Sequence, residues 1–412
     1  MDIYIKNIGA VSDGKTKCTE IIQRAIDLVS ETGGRVVISD GVYLSGKLIM
    51  KSGVELHIAE GATLLASPDC NDYPEAEGLI TLDTKWIPRG RNTAFIFAEC
   101  CENISITGAG TVDCNGHSFV EPLEAPSIHG WSFRRIEALT PPRVVFFASC
   151  KNIIIENITM VNQPAGWSFW IHNSVNVTFK GVRIKADVHY PNNDGIHINC
   201  SRDVRISDCD IECGDDAIVV RANSITLREN TPCERVRVSS CILRSYTNAI
   251  RIGWMNDGMI KDCTFENIVM NDSNNGIAIH LPYRKRTSEN IRIADPSVPV
   301  STDIGREETL VENLLFKNIK MNRIYKYPVF ICIDDNEETL CRDIRDIRFE
   351  RLSALALNYP YFKGREKKHI GNITLLDCDF TVTDELDGER SRGEPMVKLY
   401  ADGVRFVNTE LK

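Results

Sequence analysis

The sequence predicts an all-β chain wound as a parallel β-helix, with an amphipathic capping helix near its N-terminus. Three observations carry this expectation. Short β-rich runs recur along the chain, most open on a turn-forming Asn or Asp, and no stretch of 18 or more apolar residues competes with them. Neighbouring runs start 23 to 32 residues apart over the middle of the chain, and such a period, without helical spacing, is the mark of a solenoid with several short strands per turn.

In chain order, the helix comes first. Thr16 to Ser30 places Ile21, Ile22, Ala25, Ile26 and Val29 on one helical face, and Gly33-Gly34 follows as a stop. The expected organisation is a single domain, 1–412: a cap and first turns over 1–50, rungs over about 51–382, and a C-terminal cap over 383–412. No Pro/Gly/Ser-rich linker divides it.

The repeated runs are NISITGAG from Asn103, NIIIENITM from Asn152, NVTFKGVRI from Asn176 and DVRISDCDI from Asp203. They continue as RVRVSSCIL from Arg235, GMIKDCTFENI from Gly258, NLLFKNIKM from Asn313, DIRFERLSA from Asp346 and NITLLDCDF from Asn372. Asn and Asp suit these positions because they tolerate left-handed backbone and bond to it locally. The same role covers the Asn-x-Ser/Thr matches at Asn103, Asn157, Asn176 and Asn372, read here as turn residues rather than glycosylation sites.

Two segments carry acids just before an apolar-alternating strand: NNDGIHI from Asn192 and GDDAIVV from Gly214. NAIRIGW from Asn248 and NNGIAIH from Asn274 repeat the layout without them. The alternation points Ile196, Ile198, Ile218, Val220, Ile250, Ile252, Ile277 and Ile279 inward. It places His197, Val219, Arg221, Arg251, Ala278 and His280 on one outer face, expected to be open to solvent. Asp194, Asp215 and Asp216 sit at the edge of this stripe. Three clustered carboxylates repel one another, so one of them is expected to hold its proton more tightly than usual. Paired acids with separated pKa values supply a general acid and a base. A lone Asp at a strand start is ordinarily a turn residue, as at Asp203 and Asp346; the stacked pair of motifs makes catalysis the better reading here.

Composition excludes other classes. A net charge of −9 and a pI near 5.5 disfavour nucleic acid, and no basic run compensates. No membrane partner and no cofactor are expected. Fifteen cysteines read as small buried hydrophobes in a reducing compartment. Neither the Cys209 and Cys213 pair nor Cys100-Cys101 has metal-ligand spacing, so no metal is expected. The first ten residues lack a signal-peptide core, so a cytoplasmic location is expected; the alternative is a secreted protein whose leader has been removed.

With these residues in view, the sequence resembles the polygalacturonase-type glycoside hydrolases of family 28, right-handed parallel β-helix enzymes that act on pectic polymers with inversion. The likeness covers most of the chain. It includes GAVSDGKTKCTEIIQRAID, GGRVVISDGVYLSGKLIMKSGVELHIAEGATLLAS, CENISITGAGTVDCNG and PPRVVFFASCKNIIIENITMVNQP. The family's Asn-x-Asp-Gly motif matches Asn192, Asp194 and Gly195, and its Asp-Asp pair matches Asp215 and Asp216. The resemblance implies that Asp215 protonates the leaving oxygen while Asp194 and Asp216 hold and activate water. Such chemistry needs carboxyls roughly 6.5–9.5 Å apart.

Two motifs depart from the family pattern. Asn248 stands where the family has a histidine, and Ala278-Ile279-His280 stands where it has Arg-Ile-Lys to grip the galacturonate carboxylate. The simpler expectation is therefore a changed sugar and no ordinary endo-polygalacturonase activity, with Arg251 or Arg221 as a displaced clamp the alternative. Asn192, His197, Arg221, Asn248, Arg251, Trp254 and His280 are the expected substrate-binding residues. Trp167, Trp170 and His172 are sugar-stacking or core residues, and the basic stretch Tyr283 to Asn290 is a solvated loop or a substrate contact. The favoured function is an inverting glycoside hydrolase acting on a pectin-related oligosaccharide, cutting from the chain end. The other readings are a β-helix lyase or transferase, and a non-catalytic carbohydrate-binding β-helix.

Overall fold

The structure, a computed structural model, describes residues 1–83, 92–127, 130–136, 140–141, 143–227, 229–283, 307–391 and 393–412. The chain has the right-handed parallel β-helix fold. Its contacts divide it into two compact units. The first holds Met1–Leu82, the described residues of 91–197 and Val204–Asp215; the second holds Asp83, Ile198–Asp203 and the described residues from Asp216 to Lys412. The single domain expected from sequence showed no linker here, and a solenoid needs none, because each coil packs only on its neighbours.

Three parallel ladders build the first unit. One runs from Asp2–Tyr4 through Gly34–Ile38, Val54–Ile58, Glu102–Thr107 and Lys151–Glu156 to Val175–Lys180. A second runs from Gly41–Ser45 through Ala62–Ala66, Thr111–Asp113, Thr159–Val161 and Arg183–Lys185 to Asp210–Cys213. The third stacks Leu48–Ile49, Ala94–Glu99, Arg143–Ala148 and Trp167–His172. In-register pairing stacks like side chains, as in the buried column Leu64, Val112, Met160, Ile184 and Ile211. The N-terminal helix forms over Thr19–Ser30 and buries Ile22, Ala25, Ile26 and Val29. Ile21 is only half-buried, at the margin of the apolar face.

In the second unit one ladder links Cys233–Ser239, Met259–Ser273, Thr309–Ile324, Cys341–Ala356, Gly371–Leu376 and Val404–Val407. Phe265, Phe316 and Phe349 stack face to face along it, with centroids 4.8 and 4.9 Å apart. The other ladder links Ile218–Arg221, Asn248–Ile252, Asn275–Leu281, Val329–Ile333, Tyr361–Lys363 and Lys398–Leu399. Parallel pairing is present within both terminal stretches, the expected cap and first turns over 1–50 and the expected C-terminal cap over 383–412. Asp2–Tyr4 and Val404–Val407 already pair in parallel, and runs of three or four residues are too short to register as repeats.

The corner residues behave as their chemistry requires. Asn103, Asn152, Asn157, Asn176, Asp203, Arg235, Asn313, Asp346 and Asn372 all have φ between 49° and 62°. In the run from Gly258 the corner residue is Asp262, with φ 56°; Asn313 on the next coil donates to it at 2.6 Å. Asn176 donates to Asn152, and Asn152 to Asn103, at 2.8 and 2.9 Å, forming a side-chain ladder up one corner. Replacing Asn152 with Ala removes both bonds and places an alanine in the left-handed region, so a loss of about 1–2 kcal/mol is expected in denaturant unfolding. Asn152→Gly restores backbone freedom and should cost less.

Of the fifteen cysteines all but Cys70 and Cys100 are buried, as expected for small hydrophobes. Among the described residues no helix is long and apolar enough to cross a membrane.

Candidate active site

In the first unit, Asp194 follows a left-handed turn at Asn192 (φ 58°). The strand Trp167–His172 anchors its backbone: Ser168 N–H donates to the Asp194 carbonyl at 2.8 Å and Phe169 N–H to that of Gly195 at 3.1 Å. His197 lies beside the acid, with Nδ1 3.8 Å from the Asp194 carboxylate. Trp167 lies against the imidazole, with ring centroids 4.4 Å apart. Asp215 is gripped through one oxygen, which accepts both the backbone N–H and the side-chain amide of Asn192 at 3.2 and 3.1 Å.

The turn before Asp215 is locked from three sides. Gly214 N–H donates to the Asn193 side chain at 2.7 Å, and Asn193 donates to the Asp187 carbonyl at 2.7 Å. Trp131 donates its indole N–H to the Gly214 carbonyl at 2.8 Å.

In the second unit, Asp216 is held through one oxygen by the Thr247 hydroxyl at 2.8 Å and the Asn248 amide at 2.5 Å. A polar chain fixes that amide. Tyr327 N–H donates to the Asn275 oxygen at 3.2 Å, and Asn275 donates to the Asn248 oxygen at 2.9 Å. The Asn248 nitrogen is thereby aimed at the carboxylate. Among the described residues Asp216 has no cationic partner within 4 Å.

The two outward arginines have different settings. Arg221 forms a two-pronged ion pair with the buried Asp257, at 2.6 and 2.7 Å. Arg251 instead donates to the backbone carbonyls of Gly253 at 3.2 Å and His280 at 2.8 Å. Both guanidiniums lie over the Trp254 ring, at 5.4 and 4.8 Å. Trp254 therefore serves first as a cation partner, which narrows its expected use as a sugar platform.

The inward aliphatics of all four motif strands are fully buried, as the alternation requires. The outer stripe is less open than expected. Asp194, His197, Asp216 and Arg251 are 5%, 4%, 9% and 4% exposed, while Asp215 is intermediate. Indoles cover part of it, with Trp167 on His197 and Trp254 on Arg251. Trp170 and His172 are core residues: Trp170 stacks on Phe146 at 4.4 Å and on His172 at 4.8 Å, all sealed from solvent. The basic stretch after Tyr283 lies outside the described residues.

Thr247, Asn275, Asp257 and Asp334 were not anticipated. Asn275 alone had a visible signal, since it falls in the same motif slot as Asn248. A triad of potential ligand atoms also occurs among the described residues: His280, Cys332 and Asp334 bring a nitrogen, a sulfur and an oxygen within 4.8 Å of one another.

Comparison with known proteins sets this geometry in context. Residues 75–234 match the family described as Glycosyl hydrolases family 28. A probable polygalacturonase of Vitis vinifera is 30% identical over 66% of this chain and 55% of its own length. An exopolygalacturonase of Arabidopsis thaliana is 25% identical over 91% of this chain and 83% of its own. The chain thus spans little more than half of the Vitis relative. The hyperthermoactive exopolygalacturonase of Thermotoga maritima superposes with a TM-score of 0.73 over 99% of this chain and 91% of its own, at 22% identity, which shows the shared fold.

Proposed function

This chain is a polygalacturonase-type protein of glycoside hydrolase family 28, and from that premise we propose that it hydrolyses a glycosidic bond of a pectin-related oligosaccharide with inversion. The observation that carries the proposal is how Asp215 and Asp216 are held. Asparagine amides and a threonine hydroxyl grip these two consecutive carboxylates, each through one oxygen. At Asp216, which has no cationic partner within 4 Å among the described residues, directional neutral donors orient the carboxylate without neutralising it as an ion pair does.

In this mechanism Asp215 delivers a proton to the leaving oxygen, and Asp194 and Asp216 position water and take its proton. Asn248, in the family's histidine position, orients Asp216 through the Tyr327–Asn275–Asn248 chain. The binding of Arg221 by Asp257 disfavours a lyase, because a guanidinium held in a buried two-pronged pair is poorly placed to act as a base.

Proton NMR of fresh digests of trigalacturonate and other pectic oligosaccharides tests the proposal. The newly formed reducing end should appear first with inverted configuration and then mutarotate. A double-bonded product absorbing in the ultraviolet would show a lyase instead. Binding without product release would show a non-catalytic module.

A further inference from the structure

The first unit carries two thiols that meet across neighbouring coils and take no part in the chemistry of the acids. Glu102 and Lys151 are partners in a parallel ladder, so the residues before them, Cys101 and Cys150, occupy the same corner of successive coils. Lys151 N–H donates to the Cys101 carbonyl at 2.9 Å, and Val175 N–H to that of Cys150 at 3.0 Å. Each cysteine follows a left-handed residue, Cys100 at φ 56° and Ser149 at φ 54°. The two turns therefore repeat one another and present both side chains in the same direction. Strands stacked in this way lie about 4.8 Å apart, inside the range of roughly 4.4–6.8 Å between Cα atoms that a disulfide spans.

The two side chains are hydrogen-bonded to each other. The Cys150 thiol donates to the Cys101 sulfur, and this bond, with help from the Ser52 hydroxyl, draws the Cys101 thiol below its ordinary pKa against the opposing effect of burial. The same bond and burial push Cys150 up, so the proton stays there. A thiolate is the form of sulfur that attacks an oxidant, and its partner is placed to resolve the product. Access follows the same division, since Cys101 is 9% exposed and Cys150 is sealed. Hydroxyls serve this corner on either side: Ser52 accepts Glu102 N–H at 3.0 Å, and Ser174 accepts Cys150 N–H at 3.1 Å. Burial accounts for a small side chain at each place, but not for two bonded sulfurs.

We propose that Cys101 and Cys150 are a modification site, at which hydrogen peroxide makes a disulfide between neighbouring coils. Cys101, as thiolate, attacks one peroxide oxygen; the O–O bond breaks, leaving a sulfenic acid and a hydroxide that removes the Cys150 proton as water. The Cys150 thiolate then attacks the sulfenic sulfur. The S–O bond breaks, and the departing hydroxide takes up the proton that Cys101 had released. Two electrons pass from the two sulfurs to the peroxide, which ends as two waters. The bridge closes a loop of one complete coil, so it stabilises chiefly by restricting the unfolded chain. This site stands independently of the hydrolase reading.

The native full-length chain decides the matter. It is treated with hydrogen peroxide near neutral pH, the excess is removed with catalase, and remaining thiols are blocked in denaturant. Mass spectrometry should show the loss of two hydrogen atoms, two fewer blocked thiols, and peptides joined through Cys101 and Cys150 that dithiothreitol separates. Cys100→Ser should keep the bridge, whereas Cys101→Ala and Cys150→Ala should each abolish it. In Cys150→Ala the sulfenic acid should persist at Cys101, where dimedone traps it. The rate should level off below pH about 8.5, where an ordinary thiol is only half ionised. The bridged chain should unfold at about 0.5 M higher urea, and reduction should reverse the shift.

Both thiols surviving peroxide that oxidises Cys100 would overturn the proposal. So would a bridge through Cys100, or sulfinic acid at Cys101 without a bridge. Turnover of a pectic oligosaccharide is a separate measurement: its absence would remove the hydrolase and leave this site standing, and turnover without a bridge would do the reverse.

Discussion

Asp215→Asn lowers kcat about 1000-fold on an oligosaccharide substrate, within the range a positioned general acid contributes, and leaves KM close to native. Asparagine preserves the shape of the side chain, and one side-chain oxygen remains to accept from Asn192, whose two donors now meet at a single Asp215 oxygen. The transferable proton is what disappears. An aryl glycoside of the same sugar separates this role from that of the other acids, because a phenolate leaves without protonation. Asp215→Asn should therefore recover much of its lost rate on the aryl substrate. Asp194→Asn and Asp216→Asn should stay slow on both, since water must be activated whatever departs. Stopped assays of kcat with the two substrates make the comparison. Equal impairment of Asp215→Asn on both would remove it as the acid, and near-native turnover on the oligosaccharide would end the mechanism.

The parts of this architecture that repeat from coil to coil were legible in the sequence. A corner that must adopt positive φ selects Asn or Asp each time the chain passes it, so Asn103, Asn152 and Asn176 announce one edge of the solenoid before any coordinate does. The inward aliphatics of the four motif strands follow the same rule. The partners of the functional side chains follow no period. Arg221 meets Asp257 across 36 positions, His280 meets Asp334 across 54, and Trp131 reaches Gly214 across 83. Each separation depends on turn lengths between coils, which vary independently of the strands. For this reason Arg221 and Arg251 looked equivalent in sequence and differ in the fold, one bound by a carboxylate and the other set by backbone carbonyls and an imidazole. Exposure was misjudged for a related reason: alternation tells which way a side chain leaves its sheet, but not whether an indole then covers it.

Gly214→Ala should cripple the protein although it adds a single methyl group two residues before Asp216. A Cβ at this position would lie 2.3 Å from the Tyr190 carbonyl oxygen, 2.7 Å from that of Val188 and 2.8 Å from the Asn193 side-chain oxygen. Two of these atoms are backbone, so no rotamer change relieves the clash. The turn must move, and it carries the N–H bound by Asn193 and the carbonyl bound by Trp131. Overpacking of this kind costs about 1–3 kcal/mol, visible as a lower denaturation midpoint. The catalytic penalty should exceed what that loss of stability explains. Asp215 follows the displaced residue directly, and a shift of about 1 Å in a reacting group can cost on the order of 100-fold in rate. Measured well below the melting transition, where nearly all molecules are folded, kcat/KM should fall by about that factor. A variant folded and active to within a few-fold of native would show that the tight approach at Gly214 does not position the acid.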